Sequence, residues 1–213
     1  MKSFVKMICA AVLLSVIASG CSKEDETPMI QESFKQYKSA ILNQDGFTAY
    51  YYVDSHTKAY YDDMLDKVMN ASEYETKNMS LGSKVIVTMA RHSISANTLR
   101  GMNGESFFIY AVENGWIGEE SVSRLEIAVS NVDKNFAKTH IVDANGEAPF
   151  GFTFRKEDKT WRIDLTSMLP MTEMALEEQI KEIGIDEETF IRATLTQASG
   201  FQPDSSIWEP VNL

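Results

Sequence analysis

"FGFTFRKEDKTWRIDL", residues Phe150 to Leu165, is the stretch whose periodicity decides the fold. Phe150, Phe152 and Phe154 alternate with small or polar residues. After Lys156-Glu157-Asp158-Lys159, Trp161, Ile163 and Leu165 alternate in the same way. A period of two places one set of side chains on one face of a pleated strand, so this is a hairpin of two half-buried strands joined by a charged turn. Upstream, Leu125, Ile127 and Val129 alternate, Asp133-Lys134-Asn135 follows as a turn, Phe136 to Val142 forms another strand, and Asn145-Gly146 marks the next turn. Four short strands joined by turn residues predict an antiparallel meander with one buried face.

On either side of the meander the period changes to that of a helix. Thr27-Pro28 opens one helix, Thr27 as its cap, with Ile30, Phe34, Tyr37 and Ile41 on one stripe. Asp45 caps a short turn over Phe47 to Val53. Ser55 is expected to cap a helix carrying Tyr60, Tyr61, Met64, Leu65, Val68 and Met69. Further helices are predicted over Ser80–His92 and Ser106–Glu113, the latter closed by Asn114-Gly115. After the strands, Met171 to Ile183 runs to Gly184. Asp186 caps Glu187 to Ala198, and an extended tail covers Phe201 to Leu213. Helices first, sheet next and helices last is a segregated α+β order, not α/β. The expected fold is therefore N-terminal helices packed on a curled antiparallel sheet of about four strands, with a C-terminal helical extension.

The amino terminus addresses location. In "SVIASGCSKEDE", Ser15 to Glu26, an apolar run from Met7 to Ile17 stops at small residues before Cys21, and Lys2 and Lys6 precede it. A basic start and a short apolar core describe a secretory leader, too short for a stable transmembrane helix. Ala18-Ser19-Gly20-Cys21 resembles the lipobox of bacterial lipoproteins, with Ala18 where Leu is commoner. That resemblance implies cleavage before Cys21 and acylation of its thiol, with the membrane held through the acyl chains. Ser22 rather than Asp suits outer-membrane delivery. Lys23-Glu24-Asp25-Glu26 reads either as a solvated tether or as a surface-export tag. The expected division is residues 1–20 leader, 21–28 acidic tether, 29–169 an α+β domain and 170–213 a helical extension with tail.

Composition narrows the function classes. Cys9 and Cys21 are the only two cysteines. With Cys9 removed and Cys21 acylated, no thiol remains for catalysis, disulfide or metal. The net charge of −11 disfavours nucleic acid and anionic lipid surfaces. A hydrophobic content of 44% is ample for a packed core.

"FKQYKSAILNQDG", Phe34 to Gly46, resembles the first helix of the NTF2-like, cone-shaped α+β superfamily, and the Phe150–Leu165 hairpin resembles the paired strands that end many such domains. The resemblance spans about Gln31 to Leu169. It implies a sheet curled around helices, leaving a cone whose mouth takes a small apolar ligand, and in some members an Asp, Tyr or His that catalyses there. The helices around Ser80–Glu113 and everything after Met171 depart from the family's basic plan.

Candidate chemistry is sparse. His56, His92 and His140 form no metal spacing, and neither a metal nor a cofactor is expected. Asp54-x-His56 reads as support for a helix cap. His140 lies on a strand and is a weak candidate base. Asp164 lies between the core positions Ile163 and Leu165 and faces the other way. Within an apolar cone it could act as a general base, whereas on an outer face it would pair with a neighbouring arginine. Gly104-Glu105-Ser106 lacks the nucleophile-elbow pattern, and its serine reads as a cap. The i,i+4 pairs Asp62/Asp66 and Glu178/Glu182 read as solvated faces. The aromatics expected to wall a pocket are Tyr51, Tyr60, Trp116, Phe152 and Trp161. The sequence thus predicts an envelope lipoprotein that binds a small apolar ligand or an envelope protein. The alternatives are a cone-type enzyme using Asp164 or His140, and an acidic partner of a basic toxin.

Overall fold

The structure is a computed structural model that describes residues 25–143 and 146–212. The expected leader, Cys21 and residues 22–24 of the expected tether lie outside the described residues, as does Asn145 of the third predicted turn. Among the described residues, seven helices come first: α1 (Thr27–Leu42), α2 (Gly46–Tyr52), α3 (Ser55–Asn70), α4 (Glu73–Lys77), α5 (Leu81–Ser93), α6 (Ala96–Arg100) and α7 (Gly104–Glu113). Strands β1 (Glu126–Asp133), β2 (Phe136–Asp143), β3 (Gly146–Glu147), β4 (Thr153–Glu157) and β5 (Thr160–Asp164) follow, then α8 (Leu169–Ile183) and α9 (Glu187–Ser199). This is the predicted α+β order, with the sheet arranged β1-β2-β4-β5, antiparallel throughout, and β3 paired with β2.

The sheet is not strongly curled, which corrects the expected cone shape. β4 and β5 have five residues each, and the β1–β2 ladder has one irregularity, between Val129 and Asn131. Strong curvature needs longer strands and repeated bulges. On the face toward α1 the sheet carries Phe154, Trp161 and Ile163. These are buried with Ile30, Phe34, Tyr37 and Ile41 of α1 and with Phe107 and Phe108 of α7 in one continuous core. A smaller second core joins Leu81 and Met89 of α5 to Phe190, Ile191 and Leu195 of α9 and to Ile207 and Trp208 of the tail. The tail therefore contributes core residues and includes a single helical turn, Ser205–Trp208, instead of running extended throughout.

Local chemistry explains the element ends. Asp158 and Lys159, both at positive φ (49° and 68°), supply the two left-handed residues of a tight hairpin turn between β4 and β5. Gly184 and Gly200 end α8 and α9 in the left-handed conformation. α3 is capped by Asp54, not Ser55: the carboxylate of Asp54 accepts from the Thr57 amide at 2.9 Å. Thr27 begins α1 but does not cap it; its amide donates to Asp25 Oδ1 at 3.0 Å. The strand expected through Leu165 ends at Asp164, because the Asp164 side chain turns back onto the Thr166 amide and starts a helical turn over Leu165–Met168. Phe150 and Phe152 pair with β2 through their carbonyls before regular β4 begins. Between them Gly151 passes so close that a Cβ would lie 2.3 Å from the Thr139 carbonyl oxygen.

The exposed caps set an acid limit on stability. Hydrogen bonds from Thr48 hold Asp45 below its ordinary pKa of 3.8; those from Thr189 and Ser206 do the same for Asp186 and Asp204, and those from Ser72 hold Glu75 below 4.5. A carboxyl whose pKa is lower folded than unfolded contributes stability that is fully present above the unfolded value and is lost as pH falls through the folded value. These four caps leave urea midpoints unaffected from neutral pH down to about 5 and are expected to lower them below about 4. An unchanged midpoint at about pH 3 would contradict these cap assignments.

Candidate functional site

Two places combine geometry with chemistry. The first is a cleft of about 450 Å³ between α5 and α8, lined by Tyr60, Val85, Ile86, Leu169, Pro170 and Leu176 with Ser83 and Glu173 among its polar groups. That volume lies within the range of small-molecule pockets. α8 forms one wall, and none of its residues is buried, although Leu169, Met171, Leu176 and Ile180 recur along it. Leu176 and Ile180 pack against the small core that contains Leu81 and Met89, and a carboxylate adds to this hold on α5. Glu173 Oε1 accepts from the Leu81 amide at 2.5 Å and Oε2 from the Gly82 amide at 2.9 Å, which places a carboxylate against the positive end of the α5 dipole. Glu173→Ala is expected to cost about 1–2 kcal/mol and to speed amide exchange at Leu81 and Gly82. Unchanged protection of those amides would show that α8 is held by other contacts.

The second place lies where the α2–α3 junction crosses the end of β5. The Asp54 amide donates to the Ile163 carbonyl at 3.0 Å, and the Leu165 amide donates to Thr57 Oγ1 at 2.9 Å, which fixes the start of α3 on the strand. Asp54 and Asp164 are both buried there, and His56 is half exposed beside them. Asp164 Oδ1 accepts from the Thr166 amide and hydroxyl at 3.0 and 2.5 Å. Asp164 Oδ2 lies 3.6 Å from His56 Nδ1. Arg155 reaches in from β4, with Nε 3.2 Å from Asp54 Oδ2 and 3.9 Å from Asp164 Oδ2. One ligand atom each from Asp54, His56 and Asp164 lies within 4.8 Å of the others.

Burial raises the Asp54 carboxyl above its ordinary 3.8, the charge of Asp164 adds to this, and the Thr57 amide opposes it. Its sign is opposite to that of the exposed caps. The folded state holds this proton more tightly than the unfolded chain, so the Asp54 contribution to stability weakens as pH rises from its unfolded pKa through its folded one.

The aromatics expected to share a pocket are spread apart. Tyr60 lines the α5–α8 cleft. Trp116 stacks edge-on against Tyr110 and Phe107 and borders a separate hollow of about 370 Å³ with Val85, Met89 and Thr194. Tyr51 is on the surface, under the guanidinium of Arg162. Phe152 and Trp161 are core residues, the former against Phe34 and the latter donating from Nε1 to Glu26 Oε2 at 2.6 Å. His140 forms a surface pair with Glu147 at 2.5 Å. His92 bonds Ser199 Oγ at 2.8 Å, which ties α5 to the end of α9. Asp164 is buried as the base hypothesis requires, but among polar groups at a strand end and not within an apolar cone. Asp62, expected on a solvated face, accepts from the Gly104 amide at 3.0 Å at the start of α7.

Sequence reasoning did not bring Asp54 and His56 to Asp164, because they lie on separate elements far apart in the chain. The one local signal was Asp54 immediately before an amphipathic helix. Glu173 likewise reads as one more acidic residue on an exposed helix. Comparison of the chain with protein-family models, with curated proteins and with solved structures finds no match. Among the described residues no helix is long and apolar enough to cross a membrane.

Proposed function

We propose that this chain is a cell-envelope lipoprotein, held on the outer membrane through acyl chains on Cys21, whose α+β domain binds a small apolar ligand and does no chemistry on it. The observation that carries the binding half is the cleft between α5 and α8. Its walls are mainly aliphatic, Tyr60 and Ser83 offer hydroxyls at one side, and its carboxylate, Glu173, is already committed to the two amides that start α5. Such a lining recognises apolar shape and supplies no free acid or base. The residues lining the cleft do not include Asp54, His56, Asp164 or His140, which weighs against the cone-type enzyme alternative. Kinship with the NTF2-like superfamily is part of this proposal and is supported by the order of helices, meander and hairpin. The ligand is assigned to the helical cleft, because Phe152, Phe154 and Trp161 are buried between sheet and helices.

Native mass spectrometry of the domain from Ser22 onward, which lacks the acylated cysteine, made in and purified gently from its own host, tests the reading. An added mass of a few hundred daltons, lost on Leu176→Glu, is the expected result. A bare mass that stays bare with added long-chain fatty acid would turn the assignment toward an envelope protein partner. The anchor has a separate test: Cys21→Ser is expected to release the protein from membranes or to trap the uncleaved precursor, and unchanged fractionation would refute lipidation.

A further inference from the structure

We propose that Asp54, His56 and Asp164 form a binding site for a divalent transition-metal ion, in which Arg155 is the resident cation that the metal displaces. The argument rests on how the oxygens are divided. Each aspartate commits Oδ1 to backbone, Asp54 to the Thr57 amide and Asp164 to the Thr166 amide. Each leaves Oδ2 on the side of His56 and Arg155. A carboxylate with one oxygen held by the scaffold and the other offered is the usual arrangement behind a metal ligand. Asp54 Oδ2 is fully buried and accepts no hydrogen bond, and Asp164 Oδ2 accepts a single long one, from Thr153 Oγ1 at 3.4 Å. A buried acceptor without a donor is costly unless a charge sits beside it.

Arg155 supplies that charge without the geometry of a good pair. Carboxylate–guanidinium pairs that define their own site form parallel bonds of about 2.7–2.9 Å. Here Nε is 3.2 and 3.9 Å from the two carboxylates, makes no directed hydrogen bond, and Nη2 lies 3.4 Å from His56 Nδ1. Three ligand atoms thus converge on a cation that none of them binds closely. Arg155 also stands directly across from Arg162 in the β4–β5 ladder, an unfavourable like-charge pair. Its side chain is 36% exposed, so it has a route outward, and the half-exposed His56 ring has room to close in.

One imidazole and two carboxylates suit zinc, manganese or ferrous iron better than magnesium or calcium. Three protein ligands leave at least one position for water.

The test is titration of chelator-stripped, full-length protein with zinc, manganese and magnesium ions by calorimetry. Wild type is expected to bind one zinc or manganese ion per chain and magnesium far more weakly. His56→Ala is expected to weaken zinc binding by at least about tenfold, and Arg155→Gln to tighten it. His56 is half exposed, so folding does not obscure the His56→Ala result; Arg155→Gln removes the charge beside two buried carboxylates, so its titration is read only on protein whose urea unfolding shows it folded, and His56→Ala carries the test otherwise. Absence of stoichiometric binding in both wild type and Arg155→Gln overturns the proposal, and so does zinc binding that is unchanged in His56→Ala.

Discussion

Arg91→Ala is expected to lower the free energy of unfolding by about 3–5 kcal/mol, because five hydrogen bonds from one partly buried guanidinium would be lost together. Arg91 projects from the last turn of α5 into the end of α3. Its Nε donates to the Val68 carbonyl at 2.9 Å, and Nη2 to the carbonyls of Lys67 and Ala71 at 2.9 and 2.7 Å. Nη1 donates to Thr76 Oγ1 at 3.1 Å and to the Ile207 carbonyl at 3.4 Å. The Lys67 carbonyl also accepts from the Ala71 amide at 3.0 Å, whereas the last carbonyls of a helix have no partner within it, and a cation there meets the negative end of the dipole. One guanidinium thus joins α3, α4, α5 and the tail. Burial pushes its pKa down to about 10, so it stays charged at neutral pH. Arg91→Lys keeps the charge but reaches fewer carbonyls with a single ammonium, and its loss is expected to be intermediate. Urea denaturation at constant m decides this; a loss below about 1 kcal/mol for Arg91→Ala would mean that water replaces the guanidinium at little cost.

Trp161→Ala is expected to cost a similar amount, about 3–5 kcal/mol, as is usual for an aromatic removed from a closed core. Trp161 is 2% exposed, its ring lies on the α1 side of β5, and Nε1 donates to Glu26, which also pairs with Lys156 at 2.5 Å. Its carbonyl accepts from the Ser33 hydroxyl of α1. The substitution therefore removes volume between sheet and helix and loosens the start of α1. Trp161→Phe keeps most of the ring but loses the indole donor, and about 1–2 kcal/mol is expected. This pair of variants also separates two roles for the residue. A pocket wall would lose ligand at little cost in stability, whereas a core residue loses stability first. A folded Trp161→Ala protein with a nearly unchanged urea midpoint and diminished ligand binding would return Trp161 to the pocket and remove the argument for the α5–α8 cleft.

The hairpin at Phe150–Leu165 and the stripe Ile30, Phe34, Tyr37, Ile41 were legible because their signals are local. A period of two or of 3.6, a turn of charged residues and a glycine after the last apolar position are all complete within a dozen residues. The same locality explains the errors at boundaries. The competition between Asp54 and Ser55 for the cap of α3, and the turn that Asp164 imposes on Leu165, depend on which side chain finds an amide, and periodicity does not register that. The short helices α4 and α6 have five residues each, too few for a repeat to show.

The sequence by itself determined the α+β order, the antiparallel meander and most helix ends, since each follows from steric and solvation preferences of neighbouring residues. It also carries the apolar run before Cys21, on which the proposed leader and lipid anchor rest. Only the tertiary structure decided that the sheet stays open enough for Phe152 and Trp161 to become core, that Arg91 closes the end of α3, and that Asp54, His56 and Asp164 meet around Arg155. The reason is physical: burial and charge pairing depend on distance in space, and chain spacing predicts that distance only within a single element.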